Sequence, residues 1–444
     1  MLIRAMLVAT AAAIISSPAY TQTMKQSVST TVNAAAAIGQ NGDPLPRGKA
    51  EDVGMSSERL GQIAKIINAD IEKGRLPGAV IAIARKGKLV YYETFGFRDK
   101  AGNVAMTKDT IFNIASMTKP MVALAALQLH ERGQLLIDDP LSKYFPKFAQ
   151  MEVAELNASG DTITGKVPAK QPITLRHLMM HTSGLIYGAR GNTAVHKLYP
   201  GSSSTAGATM DRTEFMDELA KLPLLNHPGA VWDYGFGLDV LGLVVEKVSG
   251  QKLSEYFEQN ITKPLGMTDT AFYIPPEKAA RYAKALPKDP ETGVAQSVIP
   301  VLTQPLKFEC GGGCLSSTVG DYMRFALMLL NKGAYGETRI LGRKTAEYML
   351  TNQLGPEVKN LMPSTDATRT DYGFGLGLSV RTEAGRGRVM GSVGDFSWPG
   401  ASGTNWWADP KEELAVVFMA HSPGPIRWHY RQAINALVYQ ALVD

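Results

Sequence analysis

Cysteine is almost missing from this chain of 444 residues, which contains only two. Two thiols cannot build a disulfide scaffold or a four-thiolate metal site, so both classes of protein are excluded. Three glycines separate Cys310 from Cys314, and this spacing does not match the C-x-x-C motif of thioredoxin-like proteins. In an oxidising compartment the pair would close a small loop as a disulfide, which is the favoured interpretation. Two free thiols are the alternative.

A charge excess and long apolar runs are also lacking. The chain has 46 Lys and Arg residues against 41 Asp and Glu residues, and no window concentrates the net charge of +5 into a basic stripe. This distribution argues against nucleic-acid binding. No window reaches the ~20 apolar residues that a membrane span needs. With 45% hydrophobic and 20% charged residues, the composition is that of a globular enzyme or binding protein.

Two common hydrolase signatures are absent. The sequence contains no G-x-S-x-G motif, which argues against the α/β-hydrolase fold, and no H-E-x-x-H zinc motif. His177 and His181 are four residues apart and could share a metal ion if they lay on one helix. We interpret His181 instead as a hydrogen-bonded core residue. The sequence therefore predicts no metal site and no organic cofactor.

The amino terminus has the pattern of a secretory signal peptide. Within residues 1–19, Arg4 precedes an apolar run and then small residues that end at Ala19. Cleavage is expected after Ala19, although alanines further along offer a later site, and an uncleaved membrane anchor is the alternative. Residues 20–48 are rich in Ser, Thr, Ala, Gln and Asn, which is typical of a flexible leader. We therefore expect a periplasmic or secreted protein.

The hydrophobic periodicity predicts strands near both ends of the chain and helices between them. The expected strands are 79–85, 88–95, 372–380, 388–393, 402–408 and 414–420, and the expected helices are 56–72, 119–132, 213–221, 238–248, 319–330 and 425–443. This order predicts an α/β (α+β) fold in which one antiparallel sheet is assembled from both ends and flanked by helices.

The first motif that carries chemistry is the S-x-x-K pattern of Ser116 and Lys119. If a helix begins at about Ser116, residues three apart share a face, so the lysine amine lies one turn from the hydroxyl. The helix N-terminus favours negative charge near that oxygen, and a serine nucleophile needs such an adjacent base. The pattern alone is weak, because Ser249 and Lys252 repeat it. There, Gly250 at a helix end indicates a turn.

Two later stretches are further candidates. Tyr234 comes just before a predicted helix, where its hydroxyl could project into a cleft and relay protons. A buried core tyrosine is the alternative, which the residues alone favour. The stretch Trp398–Thr404 opens a strand with small residues, so a ligand could approach its backbone N–H groups closely. An ordinary Pro-Gly turn is the alternative there.

Taken in order, these motifs resemble the serine β-lactamase/penicillin-binding-protein superfamily, and more narrowly the class C β-lactamases and family VIII carboxylesterases. The resemblance covers about residues 50–440. It implies a single β-lactamase/transpeptidase-like hydrolase domain, 49–444, with an α/β part at about 49–114 and 350–444 and an all-helical or mainly helical part at about 115–349. The markers are Thr110-Ile111-Phe112, Ser116–Lys119, Leu136–Pro140, Ile173–Leu178, His181–Leu185, Tyr234, Cys310–Leu315 and Trp406–Pro410.

The resemblance also implies roles for individual residues. Ser116 would be the acylated nucleophile and Lys119 its base partner, while Tyr234 would complete the catalytic trio and help to activate serine and later water. The backbone N–H groups of Ser116 and Ala401 would form the oxyanion hole. This implication reverses the core interpretation of Tyr234 that its surroundings alone favoured.

Two departures from the β-lactamase pattern concern the substrate. Class C enzymes carry Asn two residues after the tyrosine, where this chain has Phe236. The Lys-Thr-Gly motif of β-lactamases and many transpeptidases is absent from the sequence, and Trp398-Pro399-Gly400 stands in its place, similar to the Trp-Gly-Gly of the esterases. Without that lysine, Trp398 suits an uncharged acyl or alcohol group. Phe236, Trp398 and Gly400 are therefore implied as substrate-binding residues.

The expected function is that of an exported serine hydrolase that cleaves small-molecule carboxylic esters through an acyl-enzyme. A β-lactamase or D-alanyl-D-alanine carboxypeptidase of the same mechanism is one alternative, and a non-catalytic ligand-sensing homologue is another. Transfer of the acyl group to a second alcohol would use the same intermediate. Residues 186–231, rich in Gly, Ser, Thr and Ala, are predicted to roof the pocket and to determine specificity.

Overall fold

The computed structural model describes residues 39, 42–296 and 303–444, so the predicted signal peptide lies outside the described residues. The helices are α1 Ser57–Glu72, α2 Thr118–Glu131, α3 Leu175–Met179, α4 Ser203–Thr209, α5 Arg212–Lys221, α6 Gly237–Ser249, α7 Leu253–Phe257, α8 Lys263–Leu265, α9 Val319–Leu330, α10 Arg343–Met349, α11 Met362–Thr365 and α12 Arg427–Tyr439. None of these described helices is long and apolar enough to cross a membrane.

The strands are mostly short. They are β1 Gly78–Arg85, β2 Lys88–Asp99, β3 Val104–Ala105, β4 Phe112–Asn113, β5 Glu152–Leu156, β6 Ile163–Pro168, β7 Val231–Trp232, β8 Ser316–Ser317, β9 Ala334–Tyr335, β10 Thr338–Arg339, β11 Lys359–Asn360, β12 Tyr372–Phe374, β13 Ser379–Arg381, β14 Phe396–Ser397, β15 Asn405–Asp409 and β16 Leu414–Met419. Eight of them form one antiparallel sheet in the order β12-β13-β14-β15-β16-β1-β2-β3.

The large sheet joins the two ends of the domain, as predicted. β1 and β2 form a hairpin whose turn residues Lys86 and Gly87 both have positive φ, the geometry that suits a two-residue hairpin. On its other side β1 pairs with β16, so that Val80 lies opposite Met419. The first and the last long strands of the domain are therefore neighbours at the centre of the sheet.

One face of the sheet is covered by α1 and α12. Ser56 caps α1 by accepting a hydrogen bond from the Arg59 amide at 3.2 Å, which confirms the predicted start of this helix. Ile63 and Ile67 of α1 are fully buried and belong to the same apolar cluster as Ile81 of β1. Helical spacing on α1 and alternation on β1 thus bury their apolar faces against each other.

The opposite face of the sheet meets the larger core, which contains α2, α6 and α9. The helix α9, which lies within the segment assigned to the mainly helical part, packs against β1, β15 and β16. The middle of the chain is mainly helical, as expected. It also contains the antiparallel hairpin of β5 and β6, which the sequence pattern had not indicated.

Two predicted strands differ from the structure. The segment 372–380 is divided into β12 and β13 by a turn in which the Gly375 amide donates to the Leu378 carbonyl at 2.8 Å. The segment 388–393 is not a strand. Carbonyls within it accept hydrogen bonds from the Arg381 guanidinium instead of from a neighbouring strand, and the next strand of the sheet begins only at Phe396.

Candidate active site

Ser116 lies on a tight turn between β4 and α2. It is the middle residue of a single 3₁₀ turn, Ala115–Met117. The helix α2 begins at Thr118, one residue before the predicted helix 119–132 and two residues after the start at about Ser116 assumed for the S-x-x-K motif. Ala115 has φ +43°, a left-handed conformation that costs a residue with a side chain roughly 1–2 kcal/mol. The Asn113 carboxamide accepts a hydrogen bond from the Ala115 amide at 2.9 Å and supports this turn. The strained turn presents a half-buried serine hydroxyl to the cleft.

Thr118, the third residue of the S-x-x-K motif, holds this turn in place. Its hydroxyl donates to the Ala115 carbonyl at 2.7 Å and accepts from the Leu315 amide at 3.1 Å. The Tyr322 hydroxyl donates to the Met117 carbonyl at 2.8 Å. These contacts come from segments about two hundred residues away, so the serine turn depends on the tertiary fold.

Lys119 lies directly beside the serine, in agreement with the predicted helical spacing. The ammonium group donates to Ser116 Oγ at 3.3 Å and to the backbone carbonyl of Gly312, and the side chain is only 1% exposed. Its Nζ also lies 4.5 Å from the centre of the Tyr234 ring and 5.4 Å from that of Tyr187. Two aromatic faces and a carbonyl thus surround the amine.

Tyr234 completes the trio with Ser116 and Lys119. Its hydroxyl donates to Ser116 Oγ at 2.6 Å, and it accepts a hydrogen bond from Trp398 Nε1 at 3.1 Å. The three predicted catalytic side chains therefore meet at one oxygen atom. Trp398, which had been expected to bind the substrate, orients the tyrosine hydroxyl.

The two histidines of the possible metal pair have separate structural roles. His177 shares a capping box with Thr174 at the start of α3. His181 is buried, packs 4.6 Å from the Tyr234 ring between centroids, and its Nδ1 accepts from the Gly235 amide at 3.4 Å. Burial, and then the Lys119 charge, hold the pKa of His181 well below its usual range. Among the described residues no group of three His, Cys, Asp or Glu side chains could hold a metal ion.

A buried carboxylate behind the trio was not found from the sequence. Asp239 of α6 accepts hydrogen bonds from the Gly312 amide at 2.8 Å, the Ser203 hydroxyl at 2.9 Å and the Tyr187 hydroxyl at 3.0 Å. Burial raises the pKa of Asp239, and the nearby Lys119 charge counteracts that rise. We call Asp239, Gly312, Ser203 and Tyr187 the Asp239 network. An acid inside the otherwise apolar run Leu238–Val245 was the signal that could have revealed it.

The network fixes the loop that contacts the lysine. The Gly312 amide donates to Asp239, and the Gly312 carbonyl accepts from Lys119. Only glycine fits at this position, because an added Cβ would lie 2.2 Å from Asp239 Oδ2. Cys310 and Cys314 flank this glycine. Their Cα atoms are 5.5 Å apart and the structure pairs the two as a disulfide. The Gly-rich loop is therefore closed at its base.

The stretch after Trp398 forms the wall of the cleft opposite α2. The Gly400 amide donates to the Thr404 carbonyl at 2.9 Å, and a Cβ on Gly400 would lie 2.4 Å from the Ile114 carbonyl oxygen. This close approach places Ala401 at the cleft. The cleft encloses about 30 Å³, and its lining residues are Ser116, Arg190, Tyr234, Thr365, Asp366, Trp398, Pro399, Ala401, Arg427, Trp428 and Arg431.

Some sequence expectations are not met at this cleft. Phe236 is fully buried between the rings of Tyr187 and Phe215, at centroid distances of 4.5 Å and 5.3 Å, and does not line the cleft. Of the predicted roof, residues 186–231, only Arg190 is among the lining residues. The second S-x-x-K copy is a turn, as predicted, because Ser249 ends α6 and Gly250 has φ +73°.

Comparison with known proteins assigns the chain to a family. Residues 63–440 match the family model described as Beta-lactamase. The chain belongs to the beta-lactamase family. It is 34% identical to protein Rv1367c of Mycobacterium tuberculosis over 79% of this chain and 88% of that protein, and 29% identical to esterase EstB of Burkholderia gladioli over 84% and 94%.

Solved structures agree with this assignment. EstCE1, described as a hydrolase with promiscuous acyltransferase activity, superimposes with a TM-score of 0.69 and 26% identity, covering 86% of this chain and 99% of its own. The protein is thus a serine hydrolase of the β-lactamase fold with esterases and acyltransferases among its relatives, as the sequence resemblance predicted.

Proposed function

We propose that the protein hydrolyses carboxylic esters through an acyl-enzyme formed on Ser116, with Lys119 and Tyr234 transferring the protons. One observation carries this proposal. The hydroxyl of Tyr234 and the amine of Lys119 lie 2.6 Å and 3.3 Å from the same serine oxygen, which is the distance a base needs to take its proton.

In the first half of the reaction, Ser116 Oγ attacks the ester carbonyl and its proton passes to the Tyr234–Lys119 pair. The carbonyl oxygen becomes an oxyanion, which the backbone N–H groups of Ser116 and Ala401 stabilise. When the carbon–oxygen bond of the ester breaks, the leaving alcohol takes a proton through the Tyr234 hydroxyl. The products of this half are the free alcohol and the Ser116 ester.

In the second half, water attacks the acyl-enzyme by the reverse path. Tyr234 and Lys119 take a proton from the water, and Ser116 regains a proton as the carboxylic acid leaves. Another alcohol in place of water would yield a new ester. The description of EstCE1 as a hydrolase with acyltransferase activity supports this second outcome.

An ester is favoured over a β-lactam or peptide by the wall that contains Trp398. Where β-lactamases have Lys-Thr-Gly, this chain has an indole whose N–H is already bonded to Tyr234. The relative EstB is named an esterase. The cleft is small, at about 30 Å³, so short acyl groups such as acetyl fit with least movement.

The test compares two serines in the same motif. Purified protein is expected to release p-nitrophenol from p-nitrophenyl acetate, and Ser116→Ala is expected to abolish that release. Ser249→Ala, in the second S-x-x-K copy, is the matched control and is expected to keep full activity. A fluorophosphonate probe should add its mass to Ser116 in an intact-mass measurement. Ester turnover that persists in Ser116→Ala would disprove the assignment, whereas a penicillin adduct on Ser116 with rapid turnover would favour the β-lactamase alternative.

Export to the periplasm or the medium is the second part of the proposal. It rests on the signal-peptide pattern of residues 1–19 and on the Cys310–Cys314 pair, which suits an oxidising compartment. N-terminal sequencing of the protein from a fractionated culture should give a chain that begins after Ala19. Full-length protein retained in the cytoplasm would contradict export.

A further inference from the structure

The cleft carries more positive charge than the cleavage of a neutral ester requires. Its lining includes three arginines, Arg190, Arg427 and Arg431, and one carboxylate, Asp366. These residues come from the predicted roof, from α12 and from the segment after α11. We call the three arginines the cleft arginines.

The one carboxylate among the lining residues, Asp366, already forms ion pairs with two buried arginines. Asp366 Oδ2 lies 3.1 Å from Arg431 Nη1 and 3.8 Å from Arg369 Nε. Burial raises the pKa of Asp366, but the two arginines outweigh it and hold the pKa below its usual range, so the carboxylate stays ionised. Arg431 is itself buried and also donates to the Gly400 carbonyl at 2.9 Å. Asp366 therefore pairs with Arg431 and forms no ion pair with Arg190 or Arg427.

Those two arginines take part in no ion pair among the described residues. Arg427 donates only to the backbone carbonyls of Pro423 and Gly424. The exposed Arg190 has its guanidinium 5.2 Å from the centre of the Tyr234 ring. Burial, and next the charge of Arg190, lower the pKa of Arg427, and the charges of Asp366 and Asp289 oppose this shift in part. Asp289 forms no ion pair with Arg427, and its Oδ2 accepts from the Ile426 amide at 3.1 Å.

We propose that Arg190 and Arg427 bind a carboxylate on the alcohol part of the ester, so that the substrate is an O-acyl hydroxy acid. The carboxylate is placed on the alcohol part of the ester because Tyr234 protonates the leaving alcohol. The Arg190 guanidinium lies over the ring of this tyrosine. An arginine binds a carboxylate through two parallel hydrogen bonds, which would hold the alcohol in place. This substrate class rests on the proposed ester hydrolysis. It differs from the expectation that Trp398 suits an acyl or alcohol group without charge.

The test uses two esters of nearly equal size. The protein is given 3-acetoxypropanoate, which carries the carboxylate, or 3-acetoxypropanamide, which is neutral, and released acetate is measured. Water and the ester yield acetate and the hydroxy acid or its amide. The carboxylate ester is expected to have a kcat/KM higher by about tenfold or more, because hydrogen bonds between charged groups are about twice as strong as neutral ones. This preference should shrink as salt is added.

Variants locate the preference on the arginines. Arg190→Met is expected to lower the ratio of the two kcat/KM values by about tenfold, whereas Arg190→Lys retains the charge and part of the ratio. Arg343→Met, an exposed arginine of α10 that does not line the cleft, is the control and should leave the ratio unchanged.

Two results separate this proposal from the hydrolysis on which it rests. Equal cleavage of both esters, or an unchanged ratio in Arg190→Met, would overturn the carboxylate site while leaving ester hydrolysis intact. If neither ester is cleaved and Ser116 resists a fluorophosphonate probe, the proposed hydrolysis itself is overturned.

Discussion

Replacing Asp239 tests whether the buried network behind Lys119 supports the active site. Asp239 Oδ1 accepts from the Gly312 amide, and Oδ2 accepts from the hydroxyls of Ser203 and Tyr187, at 2.8–3.0 Å. In Asp239→Asn, the amide oxygen can keep the bond to Gly312. The new NH₂ group then faces the two hydroxyls, which must rotate in order to accept.

The magnitude follows from the charge that is lost. A hydrogen bond to a charged group contributes about 1.5–3 kcal/mol against about 0.5–1.5 for a neutral one, so three weakened bonds are worth roughly 3 kcal/mol. The asparagine avoids burying a charge, and this offsets part of the loss, since burial raises the pKa of Asp239. We expect the free energy of unfolding to fall by about 2 kcal/mol. A small shift of the Gly312 carbonyl away from Lys119 should lower kcat/KM about tenfold.

Guanidinium denaturation followed by tryptophan fluorescence measures the first effect, and p-nitrophenyl acetate turnover measures the second. Ser203→Ala is the matched control, because it removes one hydrogen bond to Asp239 without touching the Gly312 amide. It should lower stability by about 1 kcal/mol and change kcat/KM less than about threefold. If Asp239→Asn kept full kcat/KM and lost no more stability than Ser203→Ala, the supporting role of the network would be refuted.

Three further predictions use other contacts. Trp398→Phe removes the indole N–H bond to Tyr234 and should lower kcat for p-nitrophenyl acetate about fivefold, while circular dichroism stays unchanged. Burial raises the pKa of Asp321 to about 6 from 3.8, so the stability from its protonated form is lost as pH rises from about 4 to about 6. Asp321→Asn should remove that slope from denaturation curves taken across this range. Joint replacement of Cys310 and Cys314 by Ala should lower unfolding free energy by about 2 kcal/mol, and an unchanged melting temperature would contradict the pairing.

Local spacing made one part of the site predictable. Ser116 and Lys119 are three residues apart, so any helical turn brings them together, and the structure places their side-chain atoms 3.3 Å apart. Tyr234 is 118 positions from the serine, a separation that only the whole fold can close. Its assignment came from the family resemblance and could not have come from its neighbours in the sequence.

Backbone conformation explains the positions that were misjudged. Phe236 was expected to bind the substrate because it occupies the position where class C enzymes have an asparagine. It has φ −73° and ψ 5°, however, and α6 begins immediately after it, so the side chain turns into the core. The segment 388–393 has apolar residues in the middle, but Gly391 and Gly394 have positive φ, which a regular strand does not allow.

Asp239 and the cleft arginines depended on long-range partners. Asp239 meets Gly312 from 73 positions away, and Arg190 and Arg427 come together only through the fold. A lone acid in an apolar helix could have indicated that a buried partner exists, since an unpaired buried carboxylate is strongly disfavoured. It could not indicate which partner.

The place of β16 between β15 and β1 bears on when the protein becomes active during its synthesis. Val80 and Met419 pair near the centre of the sheet, so the pairing of β1 with β16 cannot form until β16 has left the ribosome. Pairing over so long a stretch of chain is slow to form. The strand order thus keeps the growing polypeptide without a complete sheet, and we expect an unfinished chain to be inactive.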